Sequence, residues 1–359
     1  MDSEDSVEGL RPPRGPRPSG GTGAFRGPLP YLALLLSRRL RGWGGVSAMA
    51  AACVLTASLT LLPLSRTVDE NAEKSAQRTA TAVPATAADE CENPQASLPP
   101  SGADGPTIER IKARKNRKLV VGVDQNSYRW GYRNSATGEL EGFDIDLARA
   151  IADNILGDPD AIVFRAIPTN LRIPALQNGT VDLVVRTMTI NCDRIQQVAF
   201  STAYFRAGQQ VLAPIGSRIT GHDSSLSGQR VCTAKGSTAY EELNKQSFGA
   251  VFENNTVPNQ LDCLVRLQLG EVDAVVTDSA LAAGLAAQDP GVELKGKAFT
   301  AEYYGVAAKL GNDDLIRRVN QVLVGYRAGG GNSPWMASYK KWLQTDLGAT
   351  AGPPAPLYK

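Results

Sequence analysis

From residue 118 onward the apolar positions switch between two periods. The run Lys118-Leu-Val-Val-Gly-Val-Asp124 is continuously apolar and ends in an acid, the pattern of a strand buried on both faces. Over residues 142–156 the spacing becomes four. Phe143, Leu147, Ile151 and Ile155 predict an amphipathic helix, with Asp144 and Asp146 where the N-terminal dipole favours acids. Residues 161–167 read as strand, 173–177 as helix and 181–185 as strand. That alternation predicts a parallel sheet with helices covering its faces.

The pattern then repeats with different residues. Strands are expected at 209–214, 229–234, 249–253 and 272–277, the last ending in Asp278, and helices at 238–246, 257–269 and 279–288. A strand at 303–309 and helices at 313–326 and 333–343 follow, and 346–359 reads as a flexible Ala/Gly/Pro tail. The fold class is α/β: two similar lobes with a cleft between them, the natural place for a ligand.

Upstream the patterning differs. Residues 1–28 are too rich in Pro, Gly and Arg to bury a core. Every charged residue from Gly9 to Arg66 is an arginine, and 44–64 has no charge over about 20 residues, enough to cross a bilayer. The expectation is a disordered basic cytoplasmic N-terminus (1–43), a transmembrane signal-anchor (44–64) and an extracellular tether (65–106). The lobes would then sit outside the cytoplasm on a single-pass membrane protein. A cleaved signal peptide, with only a weak site at Ala85-Thr86-Ala87, and a lipoprotein signal at Cys53 are the alternatives.

Composition narrows the chemistry. Of 359 residues 42% are hydrophobic and 21% charged, with a net charge of +2, so no basic excess points to nucleic acid. The one histidine, His222, sits in a polar loop, which argues against histidine metal sites and Ser-His-Asp or Cys-His catalysis. No cofactor or metal is expected. Four cysteines lie beyond the apolar segment, and an even number there suits an oxidising compartment. Three connectivities are possible. Cys232 falls on a strand and Cys263 on the helix after the next strand, so these two are expected to pair, leaving Cys91 with Cys192.

Candidate ligand chemistry is concentrated between Arg172 and Arg194. A short helix, a Gly turn and a buried strand lead there to Arg186-Thr187-Met188-Thr189, where a strand ends and a loop begins. Ligands of open α/β sheets bind beyond the carboxyl ends of strands, and guanidinium forks with hydroxyls beside them suit a small anion. Surface charge is the plain alternative for the arginines, helix capping for Asp278, a cap for Thr238, and capping of a loop for Asp124.

Over residues 118–343 the chain resembles the type 2 periplasmic solute-binding proteins of polar amino-acid ABC importers, solute-binding family 3. The motifs are Lys118-Leu-Val-Val-Gly-Val-Asp124, Gly142-Phe-Asp-Ile-Asp-Leu147, Arg172-Ile-Pro-Ala-Leu-Gln-Asn-Gly-Thr-Val-Asp182, Met188-Thr-Ile-Asn-Cys-Asp-Arg194, Val198-Ala-Phe-Ser201, Val272-Asp-Ala-Val-Val-Thr-Asp278, Tyr304-Gly305 and Tyr339-Lys-Lys-Trp-Leu343. Arg172-Ile-Pro with Gln177-Asn-Gly-Thr180 looks like the glutamate/aspartate branch, and the cysteines and anchor like an actinobacterial glutamate-binding variant. The resemblance implies two Rossmann-like lobes joined by a two-stranded hinge, lobe 1 from 107–206 and 303–345 and lobe 2 from 207–302.

It also implies site roles. Arg194 would clamp the ligand α-carboxylate, helped by Thr187 and Thr189. Asp278 would take the α-ammonium, with Asp124 as a second acid. Gly236, Ser237 and Thr238 would present N–H groups at a helix start. Arg172 and Thr169 would hold a side-chain carboxylate. Arg186 stands where the family has small residues. It either adds a cation for the side chain, which the net charge of a dicarboxylate favours, or faces away. Tyr128, Trp130 and Tyr132 compete for the aromatic lid. The expected activity is capture of L-glutamate or aspartate by hinge closure, read by a membrane permease. The alternative is an amino-acid sensor reporting to a membrane signalling partner; an enzyme is not expected.

Overall fold

The computed structural model describes residues 91–359, so the expected cytoplasmic segment, the 44–64 anchor and residues 65–90 of the tether lie outside the described residues. Among the described residues no helix is long and apolar enough to cross a membrane.

Each lobe is built on a five-stranded mixed sheet. In lobe 1 the order is Ile162–Ala166, Leu119–Val123, Leu183–Val184, Ala307–Lys309 and Val198–Phe200, with the first three parallel and Ala307–Lys309 antiparallel to both its neighbours. Lobe 2 repeats this with Thr256–Val257, Val231–Ala234, Ala274–Asp278, Gln209–Pro214 and Val292–Lys295, where Gln209–Pro214 is antiparallel to its neighbours. The continuous apolar runs have their reason here. Leu212 and Val275 enter one core layer of lobe 2 while Val211 and Val276 enter the other. A period of two on a sheet covered on both faces leaves no polar side. Between the lobes Phe205–Ala207 pairs antiparallel with Glu302–Tyr304, forming the expected two-stranded hinge.

Several boundaries move. The strand expected at 303–309 breaks in two at Gly305, one piece in the hinge and one in the lobe 1 sheet. A Cβ on Gly305 would lie 2.8 Å from the Ile190 side chain and 3.0 Å from the Phe200 ring, so any larger residue there requires those side chains to move. Residues 249–253 form no strand beyond a bridge of Val251 to Arg230, and the parallel edge is Thr256–Val257, of which Val257 is the residue expected to open the helix. That helix starts at Gln260 because Asn259 and Asp262 form a reciprocal capping box.

Both disulfides are as expected, Cys91–Cys192 and Cys232–Cys263, with Cα separations of 5.8 and 5.5 Å. Two segments read as flexible are held. Residues 91–105 run along lobe 1, where the buried Asn320 donates to Ser97 Oγ (2.8 Å) and the Leu98 carbonyl (2.7 Å). The 346–359 tail returns to the same segment, Ser97 pairing with Tyr358. Backbone amides and carbonyls of these turn-rich sequences find fixed partners on the lobe, which the local sequence does not reveal.

Candidate ligand-binding site

The arginine-rich loops of lobe 1 face the start of the Thr238–Lys245 helix of lobe 2, and all three arginines are buried. Arg172 opens the Arg172–Gln177 helix. Its Nε donates to the Thr169 carbonyl (2.9 Å), Nη1 to those of Arg186 (3.2 Å) and Thr187 (3.5 Å), and Nη2 to that of Gly236 across the cleft (3.4 Å). Among the described residues no carboxylate comes within ion-pair distance of it. Burial, and the charges of Arg194 and Arg186, hold its pKa well below the ordinary arginine value.

Arg194 lies in the Cys192–Ile195 turn, which Asn191 caps by accepting from the Arg194 amide. Its Nη1 donates to the Thr189 carbonyl (3.0 Å), and its Nη2 to the carbonyl of Gly236 (3.3 Å) and to Glu241 (3.4 Å) of lobe 2. Arg186 points inward and is only 1% exposed. It pairs with Asp124 (2.9 Å) and donates to Thr169 Oγ1 (2.9 Å) and to Asn259 of lobe 2 (3.2 Å). Asp124 is therefore heavily engaged, since it also accepts from the Gln125 and Asn126 amides and from Ser127 Oγ. Of the three cations, Arg172 alone has no acidic partner among the described residues.

Asp278 sits at the N-cap position of the Ser279–Ala286 helix, yet its side chain does not cap. It accepts from Tyr304 OH (2.5 Å) and from Gln209 instead. Burial, with Glu302 nearby, pushes its carboxyl up to about 7. Thr189 bridges to Tyr304, so Asp278 and the Arg194 loop share one hydroxyl-bearing neighbour. Thr238 accepts from the same Gln209 and donates to Glu302 (3.1 Å).

The helix start departs from expectation. The Gly236 carbonyl faces the arginines, the Ser237 amide is bonded to Ala234 (3.1 Å), and Ser237 Oγ caps the Tyr240 amide (3.2 Å). Gly236 is required by its φ of +75°, and a Cβ there would lie 3.0 Å from Asn170 of lobe 1.

The aromatic expectation also changes. Trp130 is 1% exposed, packed on Phe143, Phe205 and Tyr304, with its indole donating to Ala280 (3.3 Å). Tyr132 is bonded to Glu141, and Tyr128 stacks edge-on against Tyr132. The aromatic beside Arg172 and Arg194 is Tyr240, which with Thr169, Gly236 and Glu241 lines a pocket of about 340 Å³. A larger cavity of about 640 Å³ lies under the C-terminal tail, and the one charged residue lining it is Arg206. Sequence reading also passed over Gln209, Glu241, Asn259 and Glu302. Each is a polar residue in an unremarkable local pattern, and only the meeting of the lobes brings it to the site.

The family model for bacterial extracellular solute-binding proteins, family 3, matches residues 119–345. The ABC transporter glutamine-binding protein GlnH of Bacillus subtilis (strain 168) is 38% identical over 241 residues, 67% of this chain and 85% of that protein. The glutamate-binding protein GluB of Corynebacterium efficiens is 27% identical over 258 residues, 69% of this chain and 83% of that one. An ancestral arginine-binding protein, solved bound to glutamine, is 34% identical with a TM-score of 0.58, covering 65% of this chain and 98% of its own.

Proposed function

The chain belongs to family 3 of the bacterial extracellular solute-binding proteins, and from that premise we propose that it binds L-glutamate or L-aspartate between its lobes. It is the solute-binding component of an amino-acid ABC importer, on a type 2 periplasmic-binding-protein fold, and is not an enzyme. What remains to be assigned is the amino acid. Its relatives are named for glutamine, glutamate and other amino acids, so family membership leaves the choice open.

The observation that carries the acidic reading is Arg172. A buried guanidinium bonded only to carbonyls is an expensive arrangement unless an anion completes it. Arg186 is neutralised by Asp124, and Arg194 has only the partly exposed Glu241 (39%) at 3.4 Å. An amino acid with two carboxylates and one ammonium matches what is left. Its α-carboxylate goes to Arg194 and Thr189, its side-chain carboxylate to Arg172, and its ammonium to Asp278. An amide ligand would leave Arg172 without a counter-ion.

A ligand held so would bridge the lobes, and the hinge at 205–207 and 302–304 lets them close on it. The closed form is what a membrane permease would read, with the protein held at the outer face of the membrane by its N-terminal segment. Calorimetry with L-glutamate, L-aspartate, L-glutamine and L-asparagine tests the ligand: tighter binding of either amide than of both acids refutes the assignment. Uptake of labelled glutamate by a strain lacking the protein tests the role, since a pure sensor would leave uptake unchanged.

A further inference from the structure

Thr187 has a φ of +39°, in the left-handed region where a β-branched residue is an outlier. Such a conformation persists only where its surroundings over-determine it, and it concentrates at ligand sites. Thr187 lies between Arg186 and Thr189, and its own carbonyl and that of Arg186 both accept from Arg172. Turning the Arg186–Thr187 linkage into ordinary extended backbone would swing both carbonyls off that guanidinium.

One buried group holds it. The Thr187 amide donates to Asp144 Oδ2 at 2.9 Å, and the other carboxylate oxygen, Oδ1, accepts from Tyr204 OH at 2.8 Å. Asp144 is 2% exposed and Tyr204 fully buried. The acid is anchored in turn by its place in the first turn of the Phe143–Leu156 helix, where its own amide donates to the Trp130 carbonyl (2.9 Å). Asp144 touches neither the cleft arginines nor Asp278 by any hydrogen bond or ion pair among the described residues. Its one hydrogen bond to the site is this amide, and through space it also feels the charges of Asp124 and Arg186.

We propose that Asp144 is a positioning residue of the ligand site, holding Thr187 in its left-handed conformation so that Arg172 is fixed by the two carbonyls beside it. The inference rests on the reading of Arg172 as a ligand contact for its effect on affinity, but not for its effect on the backbone. Burial pushes the Asp144 carboxyl up to about 7, consistent with a carboxylate kept out of water by a structural demand. In the helix alone Asp144 looks like a dipole-favouring acid, and only the sheet packed against that helix exposes its second use.

The test compares wild type, Asp144→Asn, Thr187→Gly and the double variant. Asparagine is of the same size but has one acceptor oxygen for two donors, and glycine adopts positive φ without steric cost. In the ligand-free protein, amide exchange at Thr187, read by NMR, is expected to speed up at least about tenfold in Asp144→Asn. Glutamate affinity, by calorimetry, is expected to weaken by about 10- to 100-fold in Asp144→Asn but by less than about threefold when the same change is made in Thr187→Gly, a comparison independent of any ligand contact of the Thr187 side chain. Unchanged exchange and affinity in Asp144→Asn, or an equal loss of affinity from Asp144→Asn in the Thr187→Gly background, overturns the proposal. If Asp144→Asn does not fold, Tyr204→Phe is read in its place, with about three- to tenfold weaker binding expected and wild-type affinity and exchange as the overturning result. Should wild type bind none of the four amino acids, the ligand assignment fails while the Thr187 exchange still decides this proposal.

Discussion

Replacing Arg172 by glutamine tests the assignment of carboxylates to arginines most directly. Arg172 contributes a buried fork whose four present acceptors are all backbone carbonyls, from Thr169, Arg186, Thr187 and Gly236. Nε and Nη1 stay on the lobe 1 carbonyls; if Nη2 gives up the Gly236 carbonyl and donates both its N–H groups to the side-chain carboxylate of glutamate, two charge-assisted hydrogen bonds are at stake, each worth about 1.5–3 kcal/mol. Glutamine at 172 returns one neutral bond, so the net loss is about 3–4 kcal/mol, or about 100- to 1000-fold in affinity at 1.4 kcal/mol per decade. L-Glutamine as ligand has no charge for Arg172 to neutralise, and its affinity should change by less than about tenfold. Arg194→Ala is the contrast: it should weaken both ligands alike, because the α-carboxylate is common to them. The ligand-free Arg172→Gln protein should lose little stability, since the lost carbonyl contacts are offset by removing a buried cation from beside Arg186 and Arg194. Titration calorimetry gives the four affinities and thermal unfolding the stability. Equal losses for glutamate and glutamine in Arg172→Gln would refute the division of roles.

Four further outcomes follow from the geometry. Asp278 has its carboxyl raised from 3.8 to about 7, and Asp144 is raised similarly, so the folded ligand-free protein binds more protons than the unfolded chain between those values. The stability these protonated acids confer is present at low pH and lost as pH rises through about 7. The midpoint of thermal unfolding should therefore fall between about pH 5 and about pH 7 and level off above, and a flat or rising profile over that window would contradict it. A ligand ammonium beside Asp278 favours the ionised acid, so binding at about pH 6.5 should release protons, measurable by calorimetry in buffers of different ionisation enthalpy. Converting Cys91 and Cys192 to serine opens a bond spanning 101 residues and should lower stability by about 2–4 kcal/mol in urea titration; an unchanged midpoint would show that the 91–105 segment is held without it. Gly284 lies in the Ser279–Ala286 helix, and a Cβ there would sit only 3.1 Å from the Tyr128 carbonyl of lobe 1, so Gly284→Leu should hold the lobes apart. Weaker glutamate binding with a larger ligand-free radius of gyration by X-ray scattering is expected, and wild-type values for both would remove Gly284 from the closure contact.

How much was legible varied with the range of the interaction. The strands at 119–123 and 209–214 and the helices at 143–156 and 313–327 declare themselves by period, because a strand buried on both faces and an amphipathic helix each impose a local pattern. The broken strand at Gly305 and the edge strand Thr256–Val257 do not, because a close approach to Ile190 and a capping box at Asn259 override propensity there. In the site, Arg172, Arg186, Arg194 and Asp278 drew attention as charges at strand ends, where α/β sheets present ligands. The structure brings them to one interface, where Arg186 turns inward to Asp124, an orientation the sequence had left open.

The cysteine pairing was one of three open connectivities and the roles of the cleft side chains came from the family resemblance, whereas sequence alone determined the α/β class, the duplication into two lobes and the placing of charges at strand ends. These follow from periodicity, from the order of elements and from residue chemistry, all of which are written locally. Tertiary structure decided which cation has a carboxylate partner, that Gly236 turns a carbonyl rather than an amide to the arginines, and that Tyr240 rather than Tyr128, Trp130 or Tyr132 stands beside them. Those outcomes depend on distances across two lobes joined by a hinge, and charge balance in a buried cleft is a property of all the groups that meet there.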